Sequence, residues 1–224
     1  MEIPMSPPVV PSAPVPPAAR RTYRHGDLRR ALLEAGVELA RDGGPDAVAL
    51  REVTRRAGVV PNAAYRHFAS RRELLLAVRA AALSAAAVSM EKELAVLHRD
   101  QPPLDFARAQ VRAIGTAYLR FAQAEPGLFR TAFVVSSEDA EGEVGPASVG
   151  ASGMGPFQLL GAAIDRLVEV GALEASHRPD AEYLAWSAVH GLALLIIDGP
   201  LKGIGAEAAH ALGQRLIDMV ERGL

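Results

Sequence analysis

An all-helical fold is what this sequence predicts, and three observations predict it. Alanine is abundant in a chain that is half hydrophobic and only 5% aromatic, and alanine and leucine are strong helix formers. The alternating β-branched runs that mark strands are rare. Apolar residues recur instead at helical spacing: Leu28, Leu32, Ala35 and Leu39 fall on one face of a helix. With 224 residues the chain can hold a small domain fused to a larger one.

Each element has its own signal. Residues 1–19 hold seven prolines and one charged residue, too little apolar surface to repay ordering, and are expected to form a disordered tail. They also lack the basic start and apolar core of a signal peptide. A first helix over residues 26–41 carries Asp27 in its first turn, where a negative charge suits the dipole, and stops at Gly43-Gly44-Pro45. A short helix over 50–57 stops at Gly58. Another opens with Pro61, where a missing N–H costs nothing. Leu50, Val53, Ala57, Val59, Ala64 and Phe68 would close a small core against the first helix. Ser70 and Glu73 have capping-box spacing and open a long helix over 71–99, ended by Pro102-Pro103. Further helices follow over 105–123, after Pro126, over 157–170, from Pro179 to Gly199-Pro200, and over 205–222. The expected organisation is a three-helix headpiece over 20–70 and a larger helical body over 71–224. Residues 136–156, with five glycines, two prolines and four acidic residues, form a connection long enough to be expected mobile and functional.

Residues 49–74 carry the main functional signal. Two short helices joined by a glycine-containing turn are the geometry that lays a recognition helix in a major groove. Asn62, Tyr65, Arg66 and His67 would face outward, with Ala64 and Phe68 inward. Charge agrees with this. Residues 20–79 hold 13 arginines, no lysine and seven acidic residues, whereas the rest of the chain holds 11 basic and 19 acidic residues. Such polarity fits a headpiece that meets a polyanion and a body that repels it. Double-stranded DNA is the partner implied.

Other classes are disfavoured. No cysteine is present, which removes disulfides and thiolate chemistry. The six histidines show no metal-ligand spacing, and the chain has neither a nucleophile elbow nor a glycine-rich phosphate cradle. No metal, cofactor or enzymatic activity is therefore expected. The longest apolar stretch, 185–197, is too short to span a bilayer, so a cytoplasmic location without a membrane partner is expected.

The segments YRHGDLRRALLEAGVELARDGG from Tyr23, LREV and RAGV within 50–59, and YRHFASRREL from Tyr65 resemble the TetR (tetracycline-repressor-like) family of bacterial regulators. The body is similar to a subgroup with a Trp…His-Gly signature, here Trp186, His190 and Gly191. The resemblance implies a homodimer joined through the last two helices, with two headpieces on one palindromic operator. It also implies a body that binds a small effector and then releases DNA, as in a ligand-responsive repressor; a regulator without ligand, or an activator, is the alternative. Carried over residue by residue, it places Tyr65, His67 and Arg71 where phosphates are touched. Asn62 and Ala63, beside Pro61, fall where bases are faced. Arg51 falls within reach of DNA, and Arg20, Arg21 and Arg24 in an arm ahead of the first helix. Asn62 can pair bidentately with adenine. Two positions depart from the family: Ala49 and Val60 stand where members carry capping Ser or Thr.

For the ligand pocket the candidates are Tyr118, Phe121, Phe133, Phe157, Gln158, Trp186 and His190, lining a mostly apolar cavity for a small, largely apolar effector. Trp186 and His190 are four apart, hence on one helix face. A core histidine hydrogen-bonded beside a packed tryptophan explains that pair equally simply, and is preferred to direct ligand contact.

Overall fold

The computed structural model describes residues 25–133 and 145–224. Within them lie nine α-helices: α1 (His25–Gly43), α2 (Leu50–Ala57), α3 (Pro61–Ala64), α4 (Arg71–Ala95), α5 (Pro103–Ala124), α6 (Pro126–Phe133), α7 (Pro156–Glu169), α8 (Ala181–Ile197) and α9 (Ala206–Gly223). No strand occurs among the described residues. The tail expected over 1–19 and the arm residues Arg20, Arg21 and Arg24 lie outside the described residues.

The headpiece closes as its apolar spacing requires. Leu32, Ala35 and Leu39 of α1 are buried with Val53, Ala64 and Phe68. Phe68 is completely buried, and the Arg29 guanidinium lies 4.8 Å from its ring centre, within cation–π range. Gly58 ends α2 in the left-handed conformation, φ 69°, which a side chain would disfavour. That turn lets the Val59 amide reach the Thr54 carbonyl at 3.0 Å, the wrap that satisfies a helix end. Helix α3 is only one turn long. The Ala64 carbonyl takes the amides of both His67 and Phe68 at 2.9 Å, so Tyr65–His67 form a turn and the recognition element is shorter than apolar spacing suggests.

Neither Ala49 nor Val60 supplies a side-chain cap. Val60 is 69% exposed, so replacing it removes little buried surface. Val60→Ser and Ala49→Thr are each expected to stabilise the fold by about 1 kcal/mol, with the gain cleaner at Val60; thermal melts of the two variants check this. Lower melting temperatures for both would show that the methyl groups matter more than the open amides.

Helix α4 is the axis of the molecule. Ser70 caps it by accepting the Glu73 amide at 3.1 Å. The returning Glu73 carboxylate accepts from the Ala69 amide at 2.7 Å, one residue upstream of the usual capping box. The helix ends at Ala95 rather than 99, because the Leu97 amide folds back to the Leu94 carbonyl. By length and composition α4 could cross a membrane, but α1, α5, α6 and α7 pack around it. One hydrophobic core runs from Leu32 and Phe68 through Leu74 and Val78 to Met90, so headpiece and body share a core at the boundary drawn after residue 70.

In the body, α5 is surrounded by α4, α6, α7, α8 and α9. Helix α8 begins at Ala181, two residues after Pro179, because Asp180 takes a left-handed φ of 62°. Helix α6 butts its amino end against the carboxyl end of α1. A Cβ added at Gly127 would lie 2.2 Å from the Ala40 carbonyl oxygen and 2.3 Å from that of Arg41. Beside this joint Arg41 donates to Glu125 at 2.8 Å. Opposed helix ends of this kind bring unlike dipole charges together.

The expected mobile connection over 136–156 is partly pinned. Residues 134–144 lie outside the described residues. After them the chain makes a 3₁₀ turn, Pro146–Ser148, and is tied to α4. Ser84 donates to the Val149 carbonyl at 2.7 Å. The Glu91 carboxylate accepts from the amides of Ala151 and Ser152, both at 2.8 Å, and from the Ser152 hydroxyl at 2.5 Å. Desolvation opposes the charge of Glu91, yet these bonds prevail and hold its carboxyl below the usual value. A lowered carboxylate pKa contributes stability above the ordinary carboxylate range and loses it as pH falls through the lowered value. The latch should therefore be intact at neutral pH and open in acid. Glu91→Ala is expected to speed amide hydrogen exchange at Ala151 and Ser152 about tenfold at pH 7; unchanged exchange would show that other contacts hold the segment.

Candidate functional site

The headpiece presents one polar, basic face. Asn62 and Arg66 are exposed, Tyr65 is 55% exposed, and His67 is half-buried. Pro61 is exposed and Ala63 partly so, which leaves room for close approach of a partner at the start of α3. Arg51 is exposed on α2. Its neighbours Arg55 and Arg56 are engaged by Glu52 and Asp42 at 2.5 and 3.1 Å. Arg71 is exposed at the start of α4. Its guanidinium donates to the carbonyls of Val48 and Pro45 at 2.7 and 2.8 Å, bracing the α1–α2 connection against the start of α4.

The second site lies inside the body. An aromatic cluster fills the space between α5, α6, α7 and α8. Tyr118 meets Phe129 edge-on at 5.3 Å and Trp186 at 5.8 Å, and Phe157 meets Trp186 at 5.1 Å. These separations are those of favourable ring pairs. Tyr118 and His190 share a hydrogen bond of 2.7 Å between the phenol oxygen and Nδ1. Burial pushes the Tyr118 phenol pKa up and the His190 pKa down, so both are uncharged at neutral pH. Next to this pair is an apolar cavity of about 30 Å³, walled by Met90, Ile114, Tyr118, Leu160, Trp186 and Val189 among others.

Of the residues singled out from sequence, Tyr118 and Trp186 line this cavity. Phe133, Phe157 and His190 back it through ring contacts. Phe121 is buried in the core without lining it. Gln158 is exposed, and its side-chain oxygen accepts the Gly155 amide at 2.8 Å, capping α7. The aliphatic walls escaped sequence reading because a leucine or valine at helical spacing looks the same whether it faces a neighbour or a void.

A third surface is apolar and open. On α8 Leu184 and Leu195 are 65% and 43% exposed, and Met219 on α9 is 61% exposed. Leu184, Ser187, Gly191 and Leu195 share one face of α8 at helical spacing. Nothing lies within 4 Å of a Cβ built at Gly191.

A basic helix-turn-helix headpiece sharing its core with a helical body is the architecture of a DNA-binding regulator. The sequence comparison agrees. Residues 32–78 match the family profile described as "Bacterial regulatory proteins, tetR family", and residues 111–220 match "Tetracyclin repressor-like, C-terminal domain". The chain belongs to the TetR family of transcriptional regulators. No curated protein matches it in sequence. Solved structures share the fold. A Rhodococcus sp. RHA1 protein of unknown function aligns with TM-score 0.70 at 24% identity, covering 92% of this chain and 99% of its own. The regulator FadR from Bacillus subtilis, in complex with stearoyl-CoA, aligns with TM-score 0.64 at 13% identity, covering 87% and 98%. A single-residue variant of TetR from Acinetobacter baumannii AYE, in complex with minocycline, aligns with TM-score 0.54 at 16% identity, covering 86% and 93%.

Proposed function

We propose that this protein is a ligand-responsive transcriptional repressor of the TetR type, which binds a palindromic operator as a homodimer in the cytoplasm and is released by a small, largely apolar effector. The observation that carries this reading is the single core that joins the exposed Asn62–Tyr65 face, through α4, to the apolar cavity beside Tyr118 and Trp186. In this reading Asn62 and Ala63 read base edges beside Pro61, while Arg51, Tyr65, His67, Arg71 and the arm residues Arg20, Arg21 and Arg24 hold phosphates. Arg71 in addition braces the α1–α2 connection through the Val48 and Pro45 carbonyls. The open apolar face of α8 and α9 meets its copy in a second subunit, forming a four-helix bundle. Trp186 and His190, with Gly191 on the dimer face, fit the Trp…His-Gly subgroup. Two similarly folded regulators hold small molecules, which supports a ligand role for the body.

Release follows as a population shift. The effector favours the body arrangement in which α4 and α6 hold the two headpieces at a spacing that no longer matches the half-sites. Fluorescence anisotropy on a duplex selected from random sequence tests the reading. Expected are two subunits per site, affinity that falls steeply with salt, and a preference over unrelated duplex of at least about a thousandfold. Binding without sequence preference would sink it.

A further inference from the structure

We infer that the effector is an uncharged, hydroxylated single-ring compound, lodged between α5 and α7 with its hydroxyl on the Gln110 amide. The inference rests on the repressor reading and adds to it the ligand class and its anchor. Besides the 30 Å³ cavity, a second pocket of about 190 Å³ lies between α5 and α7. Its walls include Leu94, Gln110, Ile114, Met154 and Leu159, with exposed Arg166 at its mouth. The two spaces are neighbours along one cleft. Helix α4 gives Met90 to one and Leu94, a turn further on, to the other; α5 gives Gln110 to the larger and Ile114 to both. Ile114 is thus a wall common to both spaces.

Size, charge and hydrogen bonding each narrow the occupant. A cavity of roughly 150 Å³ with aliphatic walls is enough for benzene, so the larger pocket suits one substituted ring. The smaller space beyond Ile114 suits the end of a short chain. At the inner end Tyr118 and His190 satisfy each other. The Arg166 guanidinium at the mouth is paired with Glu169 at 2.6 Å. An ionised ligand would therefore lose its hydration without gaining a counter-charge. Gln110 stands apart. Its Oε1 is buried and has no hydrogen-bond partner among the described residues. The other buried oxygen in that condition, Glu221 Oε2, lies in an ion pair with Arg112 at 2.5 Å. An unsatisfied buried acceptor costs stability unless something donates to it. A hydroxyl can both donate and accept, and so matches either end of the amide.

Trp186, the one tryptophan of the chain, lines the smaller cavity on the other side of Ile114 and reports a ligand whose chain shifts or passes that wall. The test titrates 4-butylphenol and butylbenzene into the full-length protein and its Gln110→Leu variant, following Trp186 fluorescence. The ratio of the two dissociation constants is expected to move by about tenfold toward the hydrocarbon in the variant, the worth of one hydrogen bond. The unliganded variant should also melt at a higher temperature than the parent, since an unsatisfied acceptor is gone. An unchanged ratio, no fluorescence response to butylphenol, or a lower melting temperature would overturn the Gln110 site. Operator binding and its release by other compounds, measured separately, would then still support the repressor reading. Loss of that reading would show instead as a parent protein that does not bind a selected operator at all.

Discussion

Asn62→Ala is expected to erase the preference for one or two base pairs in each operator half-site, while leaving affinity for mismatched duplex nearly unchanged. A good bidentate side-chain contact with a base is worth about 1–3 kcal/mol of discrimination, and a palindromic site doubles it. Asn62 is the residue to bear this because it is exposed at the start of α3, where Pro61 and Ala63 are too small or too apolar to hydrogen-bond a base edge. Tyr65→Phe should behave oppositely, weakening all sequences by a similar, smaller factor, since a phosphate contact positions the protein without reading sequence. Arg71→Ala belongs to a third kind. Its guanidinium is engaged by the Val48 and Pro45 carbonyls, so its removal should lower the melting temperature together with DNA affinity. Anisotropy titrations on an operator and its single-base variants separate the three. If Asn62→Ala keeps full base preference, the reader lies elsewhere.

The parts of this structure that were legible in the sequence are those set by local chemistry. Gly58, Pro61 and Ser70 mark helix ends because φ freedom, a missing N–H or a capping oxygen acts within a few residues of itself, whereas Pro102-Pro103, read as the stop of α4, instead opens α5. The missing caps at Ala49 and Val60 were readable only against the family resemblance, which places Ser or Thr there. What was illegible depends on distant partners. Nothing near Glu91 announces that its carboxylate will hold the amides of Ala151 and Ser152, about sixty residues away. Gln158 has the look of a cavity residue until Gly155 takes its oxygen. Nor does the sequence show that the Arg71 guanidinium will also brace the Val48 and Pro45 carbonyls. A dimer through α8 and α9 was only what the resemblance implies, since apolar spacing on these helices would equally serve a buried helix. The fold leaves Leu184, Leu195 and Met219 exposed on them.

Gly127→Ala should be strongly destabilising although it adds only one methyl group. The added methyl would fall 2.2 and 2.3 Å from two backbone carbonyl oxygens of α1, and backbone cannot step aside as a flexible side chain can. Overpacking typically costs about 1–3 kcal/mol, and a clash with backbone should sit at the upper end. For a chain of this size that corresponds to a fall of about 5–10 °C in melting temperature. The functional consequence follows from where the joint lies. Helix α6 carries Phe129 and Phe133 against Tyr118 at one side and meets the carboxyl end of α1 at the other. It is therefore a second connection, besides α4, between the cavity and the headpiece. Forcing α1 and α6 apart should misplace the headpieces and weaken the operator complex for every sequence alike, in contrast to the base-specific loss at Asn62. Trp186 packs edge-on against Phe133 of α6 at 5.4 Å, so its fluorescence should shift as α6 is displaced. A variant that melts and binds operator as the parent does would mean that the two helix ends do not meet at this closeness, and that α4 alone transmits the effector's signal.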